Sequence, residues 1–353
     1  MPLNLGPEEA SRYHELNELP APHLDFLGAV AFRAAGAGLR LGVFDALAGG
    51  PLSVATIAVK TSCAERGLQV LVDALTTFGY LARCDGRYAN TPMTDRWLRS
   101  DAPDGYATTF SFWNSVITEL WTDLETSIRQ GSRTVDFYGW IEEQPSTLWE
   151  FQTMLDRMAR SLSEEIVDLV PVSATATRLL DIGGAHARYS VAFCRRHPQL
   201  TATIVDMPGA LAVGRRTVDT ECLSNRITLH EGDWRTGDFG RDHDVVLMFN
   251  ILHGNGAEEN EELVRAAADA LRPGGTVAVL EALSEVLPQA GSLGEAHVRS
   301  FSLNLFHTQG GQTYRFADVA DWLGKAGFVT PRPHVLPTAP TEQVVLATKP
   351  LAS

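Results

Sequence analysis

Three carboxylates stand where short β-rich segments end in the second half of the chain. Asp181 precedes the paired glycines Gly183 and Gly184, Asp206 ends the next apolar segment, and Asp233 follows the third. A carboxylate in such a place can pair with an amino-bearing or cationic ligand, or accept hydrogen bonds from ribose hydroxyls and an exocyclic amine. Together the three acids predict a site shaped for an adenosine-containing ligand.

The glycine turn favours one class of ligand over another. Glycine has no side chain, so the backbone at Gly183 and Gly184 can approach a ligand closely. A dinucleotide site of the G-x-G-x-x-G type would continue with glycine at positions 185 and 188, where this chain has Ala185 and Arg188. NAD therefore fits this turn less well than a ligand held mainly by the acids.

Further candidate residues lie at or just after the ends of β-rich segments. Trp234 offers an aromatic face that can stack on a purine, and Asn250 ends the segment DVVLMFN as another candidate cofactor contact. His253 comes three residues later, and a histidine near its ordinary pKa of about 6.5 is a competent general base at neutral pH. Glu281 ends the next β-rich segment.

A second histidine leaves two kinds of chemistry open. His307 shares one face of a predicted helix with Arg299 and Leu303, and that face can point into a pocket. If His307 converges with His253 and Glu281, the three side chains form a plausible ligand set for iron or zinc. The pattern thus allows either proton removal by His253 alone or metal-assisted chemistry.

The elements that must position these residues change in character near residue 177. Beyond it, β-rich runs alternate with helical stretches, which predicts an α/β fold with a parallel sheet covered by helices on both faces. The last two strands have no helix between them and should form an antiparallel edge pair. Before residue 177 the period is helical, and residues 51–91 predict two helices followed by a glycine-turned hairpin, a winged-helix pattern.

These patterns divide the chain into three predicted parts. Residues 1–105 form a winged-helix-like dimerisation domain, residues 106–176 a helical connector that lines the substrate pocket, and residues 177–353 the cofactor-binding catalytic domain. Aromatic residues and methionines at helical spacing usually form core, but some can line an apolar ligand cavity. The candidate pocket residues are Trp113, Met158, Arg299 and Asn304.

Composition limits the partners and the compartment. The 353-residue chain has a formal charge of −14, which disfavours binding to nucleic acid or an anionic membrane surface and leaves a small molecule as the expected partner. The four cysteines are scattered without a CxxC pair, as expected of reduced thiols in the cytoplasm. There is no leader-like segment and no run of about 18 apolar residues, so we expect neither export nor a membrane anchor.

The runs LLDIGGAHARYS, TIVDMP, EGDW, MFNILHG, LRPGGTVAVLEAL and GGQTYRFADVADWLGKAGF resemble the small-molecule O-methyltransferase family, typified by plant caffeate enzymes and bacterial secondary-metabolism enzymes. The resemblance covers nearly the whole chain. It implies a Rossmann-like, class I S-adenosylmethionine-dependent methyltransferase that forms a homodimer. It also implies Gly183, Asp206 and Asp233 as cofactor contacts, His253 as general base and Glu281 as the residue that orients the base.

The chain departs from the family pattern around this base. The family's Asp and Trp that follow the histidine are Gly254 and Asn255 here. A second glutamate, expected in a GG-x-E-R-T stretch, is Thr313. The catalytic clamp that the resemblance implies is therefore incomplete.

These observations predict S-adenosylmethionine-dependent methylation of a small molecule, with O-methylation of a hydroxyl or phenol as the leading reaction. One alternative is C-methylation beside the carbonyl of a 2-oxo acid, as in a metal-dependent subgroup of the same fold. His253, Glu281 and His307 would then hold a divalent or ferric ion. Another alternative is a regulator that binds S-adenosylmethionine without turnover.

Overall fold

The computed structural model describes residues 5–103, 105–235, 239–284 and 292–351. The chain forms two compact units, Met1–Thr122 and Asp123–Ser353. The three-part division at residues 105 and 176 stays a prediction. No helix in the described ranges combines the length and the apolar character that a bilayer crossing needs.

The first unit is mainly helical and carries the predicted pair of helices followed by a hairpin. Ser53 begins the first of this pair by accepting a hydrogen bond from the amide of Thr56. The hairpin turns at Asp85 and Gly86, both with positive φ (49° and 75°), as tight hairpin turns require. The elements of this unit are α1 (Pro7–His14), α2 (Pro22–Arg40), α3 (Val43–Ala46), α4 (Val54–Thr61), α5 (Glu65–Thr77), β1 (Leu81–Cys84), β2 (Arg87–Asn90), α6 (Pro92–Trp97) and α7 (Ala107–Glu119).

The second unit begins with helices and continues as alternating strands and helices. A short 3-10 turn, Leu252–Gly254, follows its fourth strand. The elements of this unit are α8 (Leu124–Gln130), α9 (Phe137–Glu142), α10 (Pro145–Leu169), β3 (Arg178–Ile182), α11 (Arg188–Arg196), β4 (Thr201–Asp206), α12 (Pro208–Thr220), β5 (Ile227–Glu231), β6 (His243–Phe249), α13 (Ala257–Ala270), β7 (Leu271–Glu281), α14 (Leu293–Thr308), α15 (Phe316–Lys325), β8 (Val329–Leu336) and β9 (Ala339–Thr348).

The strands of the second unit form one seven-stranded sheet in the order β5-β4-β3-β6-β7-β9-β8. The first five in this order are parallel, and β9 and β8 run antiparallel at one edge, which confirms the predicted α/β architecture. From β3, the next two strands of the chain, β4 and β5, lie on one side, whereas β6 and β7 lie on the other. The strand order therefore reverses between β3 and β6. Ligands of such sheets bind outside the carboxyl ends of the strands at this reversal.

Helices cover both faces of the sheet, because its central strands carry apolar side chains on both faces. All seven residues of β6 are buried, because a central strand of a covered parallel sheet meets core on each side. One apolar cluster joins α10 and α11 to one face, with Ile166 and Phe193 fully buried. The other joins α13 and α15 to the opposite face, with Leu263 and Trp322 buried. This rigid support fixes where the strand ends project.

Candidate active site

The carboxylate of Asp181 is buried at the end of β3 without full hydrogen bonding. The residue is 1% exposed; its Oδ2 accepts a hydrogen bond from Ser190 Oγ at 2.7 Å, while Oδ1 has no partner among the described residues. Burial raises the pKa of Asp181 to about 7, and the charge of Asp206 adds to this rise. An unsatisfied buried acceptor is costly, so the site suits a ligand that brings a donor or a positive charge.

The glycine turn is shaped by close approach and by backbone conformation. Gly183 has φ of +76°, and a Cβ atom at Gly184 would lie 2.5 Å from the carboxyl carbon of Asp181. A side chain at either position would therefore strain the turn or push the carboxylate aside. This is the physical reason for the glycine pair that follows Asp181.

Asp206 holds the same turn from the neighbouring strand. Its Oδ2 accepts from the amide of Ala185 at 2.9 Å, and its Oδ1 accepts from the amide of Met207 at 2.7 Å. Burial raises the pKa of Asp206 to about 6, although these two amides oppose the rise. A carboxylate has about four acceptor sites, so both oxygens can still receive ribose hydroxyls.

Arg188 stands where the G-x-G-x-x-G pattern of dinucleotide-binding proteins has its last glycine. Its side chain forms ion pairs with two acidic residues. Its guanidinium pairs with Asp156 of α10 and, at 2.9 Å, with Glu221 after α12. The Arg188 side chain is only 14% exposed. These ion pairs join three helices directly behind the glycine turn.

The other predicted cofactor contacts have mixed surroundings. Asp233 is hydrogen-bonded to Arg235 at 2.7–3.0 Å, which lowers its pKa. Trp234 is half-buried and packs against the apolar cluster on the α13 face. Asn250 adopts a left-handed conformation (φ 54°) and donates its amide to the carbonyl of Leu280 at 2.8 Å. The cofactor roles of these three residues stay predictions.

A histidine–glutamate pair stands at the ends of β6 and β7. His253 Nδ1 lies 2.6 Å from Glu281 Oε2, and Glu281 Oε1 accepts from the amide of Leu252 at 2.7 Å. The ring packs edge-on against Phe301 of α14, with centroids 5.2 Å apart. Burial opposes protonation of His253, but the charge and hydrogen bond of Glu281 outweigh burial, so the pKa of His253 is raised. The pair can accept a proton from a neighbouring hydroxyl.

Glu342 on β9 is a candidate residue that the sequence analysis missed. Its neighbour Gln343 pairs with Glu281 in the sheet, and Glu342 is close enough for its charge to favour protonation of His253. Burial, together with the charge of Glu281, raises the pKa of Glu342 to about 7, and its Oε2 has no hydrogen-bond partner among the described residues. No motif marks this residue, because the antiparallel edge pair alone brings it to the site.

Glycine also shapes the approach to the base. A Cβ atom at Gly311 would overlap the carbonyl oxygen of His253, so the turn after α14 packs directly on the 3-10 turn that carries the base. The GG pair in the run GGQTYRF was a visible signal for this contact. Its place in the site follows only from the packing.

His307, on α14, contacts a serine hydroxyl of α8. It is fully buried, and its Nδ1 lies 2.8 Å from Ser127 Oγ, which in turn lies 2.8 Å from Thr134 Oγ1. Among the described residues, no three His, Cys, Asp or Glu side chains are arranged to hold a metal ion. The structure therefore does not bring His253, Glu281 and His307 together as a ligand set, and we derive no step through a metal.

The predicted pocket residues lie in three helices. Trp113 of α7, in the first unit, is half-buried and packs against Phe112 with ring centroids 5.3 Å apart. On α10, Met158 is 42% exposed. On α14, the Arg299 side chain is 60% exposed, whereas Asn304 is buried. Their contacts with an acceptor stay predictions.

Two family models and several named relatives match this chain. The O-methyltransferase domain family model matches residues 121–329, and the O-methyltransferase dimerisation domain matches residues 26–100. The chain is 30% identical over 301 residues to 3-hydroxy-5-methyl-1-naphthoate 3-O-methyltransferase of Streptomyces sahachiroi, covering 82% of this chain and 84% of the relative. It is 28% identical over 311 residues to an L-tyrosine C(3)-methyltransferase of Streptomyces lavendulae, covering 85% and 84%.

Solved structures share the whole fold. Human N-acetylserotonin methyltransferase in complex with S-adenosylmethionine superposes with a TM-score of 0.78 at 20% identity, covering 98% of this chain and all of that one. The mitomycin 7-O-methyltransferase superposes with a TM-score of 0.83 at 21% identity, covering 97% and 99%. The dimerisation domain supports a homodimer. The chain therefore belongs to the O-methyltransferase family, and it is a methyltransferase that uses S-adenosylmethionine as its methyl donor.

Proposed function

We propose that this enzyme methylates a phenolic hydroxyl of a small aromatic molecule, with His253 as the general base. The observation that carries the proposal is the 2.6 Å contact between His253 Nδ1 and Glu281 Oε2. The relative named for 3-O-methylation of 3-hydroxy-5-methyl-1-naphthoate, a hydroxylated aromatic compound, supports it.

Glu281 determines which nitrogen of His253 can take up a proton. A carboxylate only accepts hydrogen bonds, so Nδ1 carries the hydrogen that points at Oε2, and Nε2 keeps its lone pair. Glu281 is itself held by the amide of Leu252. The ring is thus oriented before an acceptor arrives, and the cation formed by proton uptake lies next to a negative charge.

The cofactor would be held at the carboxyl ends of β3 and β4. S-adenosylmethionine supplies an electrophilic methyl group on a positively charged sulfur. Asp181, with its unpartnered Oδ1, suits an ammonium group, and Asp206 suits hydroxyl donors of a ribose. Gly183 and Gly184 give the backbone room for close approach. Asp233, Trp234 and Asn250 complete the proposed cofactor contacts.

The compartment that fits this chemistry is the cytoplasm. All four cysteines are free thiols in the structure, and Cys84 and Cys222 are exposed. Exposed free thiols persist most readily in a reducing compartment. We therefore propose a cytoplasmic enzyme.

The test combines two substrate panels with base variants. The purified protein is incubated with labelled S-adenosylmethionine and either phenols or 2-oxo acids, and NMR of each product distinguishes O-methyl from C-methyl groups. We expect O-methylated phenols, and a kcat lowered about 10²–10⁴-fold in His253→Ala, because the positioned base is lost. S-adenosylhomocysteine affinity should not change in this variant.

The control is His14→Ala, an exposed histidine at the end of α1, which should match the parent. A near-parental kcat in His253→Ala would contradict the assigned base. Methylation of 2-oxo acids that chelators abolish would favour the metal-dependent alternative. Tight binding of S-adenosylhomocysteine without any product from either panel would favour the regulator.

A further inference from the structure

The space where a side chain at position 254 would begin is occupied by polar groups of two residues from elsewhere in the second unit. A Cβ atom at Gly254 would lie 2.7 Å from Gln309 Oε1 and 3.7 Å from the hydroxyl oxygen of Tyr138. Gln309 follows the end of α14, and Tyr138 lies in α9. The departure from the family's aspartate at position 254 therefore makes room for a tyrosine and a glutamine next to the base.

The contact between these two side chains is loose. The Tyr138 hydroxyl donates to Gln309 Oε1 at 3.4 Å, well beyond the usual 2.5–3.0 Å for a hydroxyl donor. Tyr138 is 52% exposed, although its neighbour Phe137 is buried. Such a bond contributes little to folding, so a substrate oxygen can replace it at small cost.

The phenol of Tyr138 stays a hydrogen-bond donor across the working pH range. The ordinary pKa of a tyrosine is about 10, and partial desolvation of this half-exposed phenol together with the negative charge of Asp206 raises the pKa of Tyr138 further, although Arg133 and Arg235 oppose the rise. Asp206 is the carboxylate at the end of β4. Tyr138 is therefore near the proposed cofactor contacts as well as next to the turn that carries His253.

We propose that Tyr138 and Gln309 bind a second polar substituent of the aromatic acceptor, next to the hydroxyl that His253 deprotonates. Positions 253 and 254 are consecutive, with Cα atoms about 3.8 Å apart, so base and polar pair address neighbouring positions of one small molecule. A substituent hydroxyl can donate to Gln309 Oε1 while it accepts from the Tyr138 hydroxyl. The preferred substrates are phenols with an adjacent hydroxyl or carbonyl group. This inference rests on the proposed function.

The test compares two acceptors that differ by one hydroxyl, a naphthalenediol with adjacent hydroxyls and 2-naphthol. In Tyr138→Phe we expect kcat/KM for the diol to fall about 10-fold, the loss of one hydrogen bond, and that for 2-naphthol to change less than about twofold. Gln309→Leu, which removes the accepting oxygen while keeping a side chain of similar size, should give the same selective loss. Tyr13→Phe in α1 is the matched control and should behave like the parent.

Two further measurements separate the possible outcomes. Melting temperatures show whether each variant folds, and calorimetry measures diol binding to the complex with S-adenosylhomocysteine. Equal losses on both acceptors, or no loss in Tyr138→Phe, would overturn the role of the pair while leaving phenol methylation intact. A parent that neither binds nor methylates either acceptor would overturn both the pair and the proposed function.

Discussion

The pKa of His253 and the pKa of Asp181 are both raised, for opposite reasons. Burial alone would lower the pKa of His253, but Glu281 more than compensates, so the cation is stabilised. Burial itself raises the pKa of Asp181, because its carboxylate has one unpartnered oxygen. The first group is prepared to take up a proton, and the second is prepared to meet a positive charge.

Asp181→Asn should stabilise the ligand-free protein at pH 8 and weaken cofactor binding. The folded pKa of about 7 lies above the ordinary 3.8, so the carboxyl's contribution to stability is present below pH 4 and is lost as the pH rises through 7. The full difference is about 4 kcal/mol at most. We expect a higher melting temperature than the parent at pH 8, no difference near pH 4, and at least about a 10-fold weaker affinity for S-adenosylhomocysteine.

Asp269→Asn on the exposed side of α13 is the control for this measurement. It should alter neither the melting temperature nor the affinity. An Asp181→Asn protein with parental affinity would show that the carboxylate does not hold the cofactor.

Glu342→Gln should move the pH dependence of the reaction. The negative charge of Glu342 raises the pKa of His253, and a base acts only when unprotonated. Removing this charge lets His253 lose its proton at lower pH, so the acidic limb of kcat/KM should move to lower pH. Glu262→Gln on the exposed side of α13 serves as the comparison. A profile that stays in place would mean that Glu342 does not act on the base.

At the scale of elements, the sheet brings the candidate site residues together, and two turns position the histidine. The carboxyl ends of β3, β4, β6 and β7 all lie at the same end of the sheet. Asp181, Asp206, His253 and Glu281 therefore come from four strands to one end of the sheet in the second unit. The 3-10 turn Leu252–Gly254 then aims the histidine, and the glycine turn after α14 packs on it.

Gly311→Ala should damage this packing. The new methyl group would overlap the carbonyl oxygen of His253, so the turn that carries the base must shift. We expect a free energy of unfolding lower by about 1–3 kcal/mol, the usual cost of overpacking, and a kcat reduced about 10-fold or more. Denaturant unfolding and steady-state kinetics measure the two effects.

Gly324→Ala is the matched control, because nothing lies within 4 Å of its Cβ position on α15. Alanine is the better helix former, so this variant should gain about 0.5–1 kcal/mol and keep its activity. A Gly311→Ala enzyme as active and as stable as the parent would contradict the packing argument.

At the scale of the whole molecule, the dimerisation domain leaves apolar side chains exposed in the single chain. Phe26 and Val30 are 60% and 41% exposed and lie one turn apart on α2. The matched dimerisation domain begins at residue 26. Exposed apolar side chains grouped in this way are typical of a subunit contact.

We expect the protein to sediment as a dimer, and the double change Phe26→Glu and Val30→Glu to weaken it at least about 10-fold, because each new charge would be buried without a partner. Analytical ultracentrifugation over a dilution series measures the dissociation constant. Gln199→Glu, exposed in the second unit, should leave it unchanged. A double variant that dimerises like the parent would place the contact elsewhere in the domain.

The sequence by itself determined the α/β architecture, the antiparallel edge pair and the positions of Asp181, Asp206, His253 and Glu281 at strand ends. Strand and helix periods depend on local backbone preference and on which faces are buried, and both are written in neighbouring residues. The order of parallel strands then places their carboxyl ends at one edge.

Only the tertiary structure decided which distant side chains meet. His307 contacts Ser127, 180 residues away, and among the described residues no cluster of possible metal ligands joins it to His253 and Glu281. Tyr138 and Gln309, separated by 171 residues, meet over Gly254, and the edge strand brings Glu342 to the base. These contacts depend on how helices and turns pack on the sheet, and packing joins residues that share no local pattern.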